Sequence, residues 1–214
     1  MGSYRTKNTS SNNGRIKITE QPPIPKELSI LICTHPNRTM LLSRLLWQLK
    51  QQLVDGVEII VELNIDPNTR WASRNTLLDK ANGKYCVFVD DDDVVADDYV
   101  SQILTAIKSE PDICSITGSV TSLWNNHRRY FVLSQKYVPV FSLPSADHVG
   151  DIYFRCSSHL CPIRTEIARE VRFPEGMINE DNGYSERLKK YEGQLKEVII
   201  EPVIYYYFSR ILLG

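Results

Sequence analysis

The sequence predicts a three-layer α/β/α fold built around a mostly parallel sheet. Apolar runs of strand length alternate with amphipathic segments of helix length over residues 28–108, the pattern of consecutive βαβ units. The first run, 28–33, is almost continuously apolar, as expected of a strand that helices cover on both faces. A third run ends abruptly in four aspartates at 90–93. Because ligands bind at the carboxyl ends of such strands, the acidic run indicates a site there.

Hydrophobic periodicity defines the elements of the first half of the chain. Leucines recur every three or four residues after a polar turn at 34–38, and Asn82-Gly83 is typical of a helix C-terminal cap. The pattern therefore predicts strands over 28–33, 57–63 and 85–89 and helices over 39–53, 71–81 and 98–108.

The pattern changes at residue 113, where strand-like runs follow one another without long helices between them. The prolines at 139 and 144 favour edge strands or loops in that region. The predicted elements are strands over 113–120, 129–133 and 137–141, an exposed loop over 142–151, a return to the sheet over 153–163 and a short helix over 164–171. The segment 179–182 then precedes a helix that ends near Gly193, and a last strand covers 198–208.

The 214 residues predict one domain over 27–214, preceded by a flexible polar tail over 1–26. Within the domain, the change of pattern at residue 113 separates a first half, 28–112, from a second half, 113–214. The formal net charge of −1 gives no general attraction to nucleic acid or to an anionic membrane. Five cysteines without metal-type spacing, and the lack of a signal peptide or membrane-length apolar run, predict a cytoplasmic protein with free thiols. The oligomeric state is left open.

The four aspartates carry the most specific chemistry in the sequence. Alternate residues of an extended chain point the same way, so Asp90 and Asp92 are expected to converge while Asp91 and Asp93 face elsewhere. Two convergent carboxylates suit a hard cation, Mn²⁺ or Mg²⁺, that also holds phosphates. The alternative interpretation is an acidic loop that caps the next helix.

Several motifs together resemble the family 2 glycosyltransferases of the GT-A fold over about residues 28–208. The aspartate run with its following helix is the specific part of the resemblance. The weaker parts are the turn from Thr34 to Arg38, the pair Arg74-Asn75 in a helix that ends before Lys84, and Asn179-Glu180-Asp181-Asn182, about ninety residues beyond the aspartates.

The resemblance implies inverting transfer of one sugar from a nucleotide-sugar, expected to be a UDP-sugar, to an acceptor hydroxyl. It also implies that 28–112 is the nucleotide-binding half of the domain and 113–214 the acceptor half. Asp92 with Asp90 would bind Mn²⁺ or Mg²⁺, and Asp181 would be the general base, with Glu180 orienting the acceptor or substituting for it. Helix capping alone would also explain these two acids. Donor-binding roles fall on Thr34, His35, Asn37, Arg38, Asp66, Arg74, Asp90 and Asp91, with His35 stacking on the base, Arg74 approaching the pyrophosphate, and Glu62 or Asn64 as alternatives to Asp66 for the base.

The acceptor is a glycan, a lipid-linked sugar, a protein side chain or, as in small soluble phage transferases, a hydroxylated DNA base. His159, Trp124 and Arg128 are the candidates on the acceptor side. A DNA acceptor needs a basic face, which the fold would have to assemble from Arg128, Arg129, Lys136, Arg155 and Arg164.

Two other functions remain open at this point. A nucleotidyltransferase shares the architecture, but it usually needs a glycine-rich loop, and Leu28 to Arg38 contains no glycine. The other is a non-catalytic module that binds a sugar-nucleotide or nucleic acid.

Overall fold

The computed structural model describes residues 25–137, 148–149 and 152–209. Residues 1–24 of the tail predicted over 1–26, the predicted strand over 137–141 apart from Tyr137, and most of the predicted loop over 142–151 lie outside the described residues. The strands are β1 (Leu28–Thr34), β2 (Val57–Leu63), β3 (Tyr85–Phe88), β4 (Val94–Val95), β5 (Ile113–Ser122), β6 (Arg128–Leu133), β7 (His148–Val149), β8 (Ile152–Arg155), β9 (Ile163–Arg164) and β10 (Glu197–Ser209). The helices are α1 (Thr39–Lys50), α2 (Arg70–Lys80), α3 (Tyr99–Ile107), α4 (Thr165–Val171) and α5 (Glu180–Lys189).

The first half of the chain forms the predicted βαβ units. β1 lies between β2 and β3 and runs parallel to both, with Leu28 opposite Val57 on one side and Tyr85 on the other. Leu28, Leu31 and Ile32 are fully buried, so both faces of β1 are covered, as the unbroken apolar run predicted. The parallel arrangement brings the carboxyl ends of these three strands to one edge of the sheet.

The second half extends the same sheet with β5 at its centre. β5 pairs parallel with β10 and antiparallel with β6 and β9, and the path through the sheet is β2-β1-β3-β9-β5-β6-β8-β7. The register of β10 shifts between Ile200 and Tyr205, next to Pro202, which cannot donate to a strand ladder. Beyond the shift, Tyr205 and Tyr206 also pair with β4. The long last strand therefore holds the segment that directly follows the aspartates.

The helices form two groups beside the sheet. The side chain of Gln52, just after α1, donates to Ala96 O at 2.9 Å and accepts from Val100 N at 3.0 Å, which joins α1 to α3. On the other group, Arg169 of α4 donates to Leu78 O at 2.9 Å at the end of α2. The buried sheet with helices of both groups packed against it confirms the predicted three-layer α/β/α class with its mostly parallel centre.

Three predicted element boundaries are wrong. The first helix ends at Lys50 and not at residue 53, because Gln52 turns inward to the α3 segment. The helix predicted to follow 179–182 and to end near Gly193 begins at Glu180 and ends at Lys189. The return to the sheet predicted over 153–163 consists of β8 and β9 with an irregular segment, 156–162, between them. That segment carries His159 into the site.

Candidate active site

The aspartate run turns sharply where β3 ends. Asp91 and Asp92 form a turn that is closed by a hydrogen bond of 3.2 Å from Asp93 N to Asp90 O. The extended backbone predicted for the aspartate run is therefore wrong, while Asp90 and Asp92 remain close enough for their charges to interact. Asp90 and Asp93 line one cavity and Asp91 lines another, so the acidic turn separates two cavities.

The smaller cavity, of about 210 Å³, lies at the carboxyl ends of β1 and β2. Asp91 is buried beside it and accepts hydrogen bonds from Thr34 Oγ1 at 2.7 Å and from Arg38 Nη1 at 2.6 Å. Burial of Arg38 would lower the pKa of its guanidinium, but Asp91 and Asp92 raise it. The cavity is lined by Cys33, Thr34, His35, Arg38, Asn64, Pro67, Arg70 and Asp91.

The other residues predicted to bind the donor lie at different distances from this cavity. His35 lines it and caps the following turn by accepting from Asn37 N at 3.2 Å, while Asn37 itself is exposed and does not line it. Asp66 is exposed and caps the next turn, accepting from Asn68 N at 2.9 Å. Of the alternatives considered for the nucleotide base, Asn64 lines the cavity, whereas Glu62 pairs with Lys80.

Sequence reasoning missed Arg70, the first residue of α2. Its half-exposed side chain lines the smaller cavity, and its Nη1 lies 3.6 Å from Glu180 Oε1. A signal was present, because Arg70 is the first helical residue after the strand-end turn Asp66-Pro67 and so lies at the carboxyl edge of the sheet.

Arg74 is buried at the centre of a charge network. Its Nη2 donates to Asp90 Oδ1 at 2.8 Å and its Nε donates to Glu180 Oε1 at 3.1 Å. The guanidinium carbon lies 5.4 Å from the ring centroids of Phe88 and of Phe173. Arg74 lines neither cavity, because its guanidinium faces the two carboxylates. It is therefore not placed to contact a pyrophosphate bound in either cavity, contrary to the prediction from the sequence.

This network determines the charge of Asp90. Burial by itself would raise the pKa of the Asp90 carboxyl, but Arg74 and then His159 outweigh it and hold the pKa well below the ordinary value. For Arg74, burial by itself would lower the pKa of the guanidinium, but Asp90 and Glu180 outweigh burial and raise the pKa above the ordinary value. The pair therefore favours the ionised carboxylate of Asp90 and the charged guanidinium of Arg74.

The larger cavity has a volume of about 490 Å³. Asp181, in the first turn of α5, lines it, whereas the neighbouring Glu180 is 1% exposed and faces Arg74. The two acids predicted to share catalysis are thus separated, with one open to the cavity and one locked in the network. The lining residues are Asp90, Asp93, Val120, Phe131, Leu133, Tyr153, Arg155, Ser158, His159, Leu160, Asp181, Asn182, Ser185 and Tyr207.

His159 lies at the inner end of the larger cavity. Its Nε2 is 3.4 Å from Asp90 Oδ2, and its ring meets the rings of Phe88 and Phe173 edge-on. Its Nδ1 is buried and has no hydrogen-bond partner in the described part of the chain. The residue predicted on the acceptor side therefore contacts the first aspartate of the acidic turn.

The last two aspartates of the turn are crowded by like charge. Burial and then Asp90 raise the pKa of Asp93 to about 8, although Tyr205 Oη donates to its Oδ2 at 2.7 Å. Burial also raises the pKa of Asp92, with Asp90 and Asp91 adding to the rise and Arg38 opposing it. The carboxylates at this edge therefore repel one another and favour binding of a proton or a cation.

Trp124 and Arg128 lie in the hairpin between β5 and β6 and line neither cavity. Trp124 is 73% exposed, and Arg128 Nε donates to Thr121 Oγ1 at 3.3 Å. The basic cluster considered for DNA is divided. Arg155 lines the larger cavity, whereas Arg164 pairs with Asp112 beside Tyr85, at the end of β3 remote from the aspartates.

Two negative findings apply to residues 25–137, 148–149 and 152–209. No cluster of three or more histidine, cysteine or acidic side chains is arranged there to hold a metal ion. No helix in these ranges has the length and apolarity needed to cross a bilayer.

A family model, Glycosyl transferase family 2, matches residues 68–172. The matched segment contains Arg74, the acidic turn and His159, but it ends before Glu180 and Asp181. No curated protein matches the chain.

Solved structures of S. aureus TarS share the fold. TarS matches with a TM-score of 0.63 and 15% identity, covering 86% of this chain and 37% of that chain. TarS 1-349 in complex with UDP has a TM-score of 0.63 at 16% identity, covering 86% and 61%. TarS 1-349 in complex with UDP-GlcNAc has a TM-score of 0.60 at 14% identity, covering 87% and 60%. The chain thus spans from about a third to three fifths of these proteins.

Proposed function

Because this chain carries a family 2 glycosyltransferase domain of the GT-A fold, we propose that it moves one sugar from a nucleotide-sugar to an acceptor hydroxyl with inversion at the anomeric carbon. The fold predicted from the sequence is confirmed, and the family model that matches residues 68–172 supports the predicted family and enzyme class. The donor, the metal dependence, the stereochemical course and the acceptor are the parts that we propose.

The position of the acidic turn between two cavities carries the proposal. Asp91 lines the smaller cavity, and Asp90 and Asp93 line the larger one, which also contains Asp181. A nucleotide-sugar needs such an arrangement, because its base and ribose lie on one side of the diphosphate and its sugar on the other. The smaller cavity suits the nucleoside, and the larger one suits the sugar and the acceptor.

The donor is a UDP-sugar in this proposal. Support comes from the similar fold of TarS 1-349, whose structures hold UDP and UDP-GlcNAc. Asn64 offers an amide for the base, and Thr34, Arg38 and Asp91 form a hydrogen-bonded wall on which the ribose can bind. His35 lines the same cavity and can stack on the base, with Asn37 and Asp66 in the neighbouring turns. Arg70 supplies the accessible cation for the diphosphate.

Asp181 is the general base of the proposed reaction. It lines the cavity in which the acceptor hydroxyl would meet the sugar, and a carboxylate in that place can take the hydroxyl proton. Glu180 positions the start of α5 through its contacts with Arg74 and Arg70. Attack from the Asp181 side, with the nucleotide held beyond the acidic turn, inverts the anomeric carbon.

The acidic turn fits a divalent cation by the chemistry of its donors. Mg²⁺ commonly binds through one or two carboxylates together with substrate phosphates, so Asp92 and Asp90 are enough without a third protein ligand. Asp92 is the more accessible of the two, with 37% of its side chain exposed against 30% for Asp90. When bound, Mn²⁺ or Mg²⁺ would neutralise charge on the leaving diphosphate.

The single domain over 27–214 divides by function in this proposal. The smaller cavity is built by the first half of the chain, and all but two of the residues that line the larger cavity come from the second half. Among the acceptors considered, the divided arginines and the net charge of −1 favour a glycan over a hydroxylated DNA base.

Binding and slow hydrolysis of nucleotide-sugars, measured with and without Mn²⁺, test the proposal. We expect one UDP-sugar to bind and hydrolyse with Mn²⁺ and to lose most of that activity in EDTA. D92N should show the same loss in the presence of Mn²⁺, because it removes the accessible cation ligand. D97N, which changes an exposed aspartate in the turn after β4, is the matched control and should behave as the wild type.

Two results would contradict the proposal. If the folded protein binds no nucleotide-sugar under either condition, the donor assignment is wrong. If D92N and the wild type have the same rates and the same response to EDTA, the metal assignment is wrong and the acidic turn serves only to bind the nucleotide and to order the backbone.

A further inference from the structure

The larger cavity has one apolar wall, formed by a face of the sheet. Its members are paired across neighbouring strands, with Val120 opposite Tyr207 and Phe131 opposite Tyr153. Such a surface suits the carbon face of a sugar or of another polyhydroxylated acceptor, which needs flat apolar contact as well as hydrogen bonds.

Arg155 continues this wall at the end of β8, where it lies opposite Leu133. It lines the larger cavity and its side chain is exposed at the opening. Within the described residues its guanidinium makes no hydrogen bond and no ion pair of 4 Å or less. Arg155 is thus an available cation in a cavity whose nearest wall is apolar.

The other charged groups of the cavity do not neutralise Arg155. Asp90 is paired with Arg74 and His159, and Asp93 accepts a hydrogen bond from Tyr205. The negative charge of Asp181 is close enough to raise the pKa of Arg155, but the two side chains form no ion pair.

A guanidinium in such a place is suited to an anion. Its planar array of donors matches two oxygens of a phosphate or a carboxylate, and these charge-assisted bonds are stronger than those to neutral hydroxyls. We propose, building on the function proposed above, that the acceptor carries an anionic group bound by Arg155. The body of the acceptor would lie on the apolar wall and its reacting hydroxyl would face Asp181.

Calorimetric titration of the protein saturated with UDP and Mn²⁺ tests the inference, because UDP occupies the donor site before any sugar is added. The probes are glucose, glucose 6-phosphate and glucuronate, which share a ring and differ in charge. We expect a charged sugar to bind about tenfold or more tightly than glucose at low salt, the size expected for charge-assisted hydrogen bonds. Preference for one charged probe identifies phosphate or carboxylate as the bound group.

Three variants assign this preference to Arg155. R155Q should bind the charged and neutral sugars alike, and R155K should keep part of the preference. K108Q, which removes an exposed cation at the end of α3, should retain the wild-type preference. UDP should bind equally to all four proteins, since Arg155 is remote from the smaller cavity.

Several outcomes would overturn the inference. Equal binding of all three sugars to the wild type, no binding of any of them, or an unchanged preference in R155Q would each exclude an anion site at Arg155. Weaker UDP binding by R155Q would assign Arg155 to the donor. Failure of the wild type to bind UDP at all would defeat the proposed function itself, and the inference with it, and is seen before any sugar is added.

Discussion

Arg74 Nη2 donates a hydrogen bond of 2.8 Å to Asp90 Oδ1, and this contact joins helix α2 to the acidic turn. Through its Nε the same guanidinium holds Glu180, so it also fixes the first turn of α5. Asp181 is the next residue and lines the larger cavity. The position of the proposed base thus depends on a buried cation that lines no cavity.

We expect R74Q to lower the free energy of unfolding by about 3–5 kcal/mol, because it removes the shared partner of the buried Glu180 and the partly buried Asp90. The longer contacts to Arg70 and His159 are then all that offset these two charges. R74K should also destabilise the protein, since a single ammonium cannot reproduce the two directed contacts and the packing between Phe88 and Phe173. Urea denaturation of the metal-free protein measures both variants.

The matched control is K84Q. Lys84 Nζ lies 2.6 Å from Glu110 Oε1, but both side chains are exposed, and exposed pairs contribute about 0–1 kcal/mol. A loss in R74Q no larger than in K84Q would show that the Arg74 network is not a source of stability.

Asp93 should make the stability of the metal-free protein fall as the pH rises. Its pKa is raised from 3.8 to about 8 in the folded protein, by burial and by Asp90, with Asp92 adding to the effect and Tyr205 opposing it. Between these two values the folded state retains a proton that the unfolded state has lost, so stability decreases with pH and levels off above about 8. Unfolding free energies in EDTA from pH 5 to pH 9 measure the slope.

D93N is the variant that tests this assignment. Asparagine resembles the protonated acid and can still accept from Tyr205 Oη, so its stability should change less over the same pH range. D97N removes an exposed carboxylate and should keep the wild-type slope. Parallel pH profiles for D93N and the wild type would assign the slope to another group.

Gly118 makes room for the ring of Phe131 in the apolar wall. A Cβ at residue 118 would lie 2.1 Å from Phe131 Cζ, so the ring would have to leave its place. We expect G118A to destabilise the protein by about 1–3 kcal/mol, the usual cost of overpacking, and to weaken sugar binding in the larger cavity. Thermal unfolding and sugar titration measure the two effects.

A double-mutant cycle with F131L provides the control. Leucine lacks the distal ring atoms that meet the added methyl group, so G118A should cost less in the F131L background than in the wild type. Equal costs in both backgrounds would mean that Phe131 is not the residue that excludes a side chain at 118.

D181N should lower the transfer rate by about 10²–10⁴-fold, the usual contribution of a general base, while UDP affinity stays unchanged because Asp181 does not line the smaller cavity. Initial rates with the identified donor and acceptor, together with UDP titration, measure the two properties. In the wild type, NMR of the product should show the anomeric configuration opposite to that of the donor.

N182D and D97N serve as controls for D181N. N182D keeps the lining of the cavity and adds a carboxylate next to the base, so it should not abolish transfer. A D181N rate within a few-fold of the wild type would remove Asp181 from the chemistry. Retention of configuration in the product would contradict the inverting mechanism.

Much of the fold follows from local pattern. The continuous apolar run of β1 predicts burial on both faces, and leucine spacing predicts α1, because these periodicities reflect contacts with nearby layers. The end of α1 could not be predicted, since Gln52 bonds to Ala96 and Val100, more than forty residues away. The irregular segment that carries His159 likewise follows from tertiary contacts.

The sequence by itself determined the main order of the elements, the acidic run at the carboxyl edge of β3, and most of the acids and arginines from which the site is built. Only the tertiary structure decided which of them meet. Asp90 contacts Arg74 and Asp91 contacts Thr34, whereas Glu180 is buried and Asp181 is open to the larger cavity. Among the described residues, Arg155 has no counter-ion within 4 Å. The physical reason is that burial and distance determine which charged groups pair with one another, and both depend on segments that lie far apart in the chain.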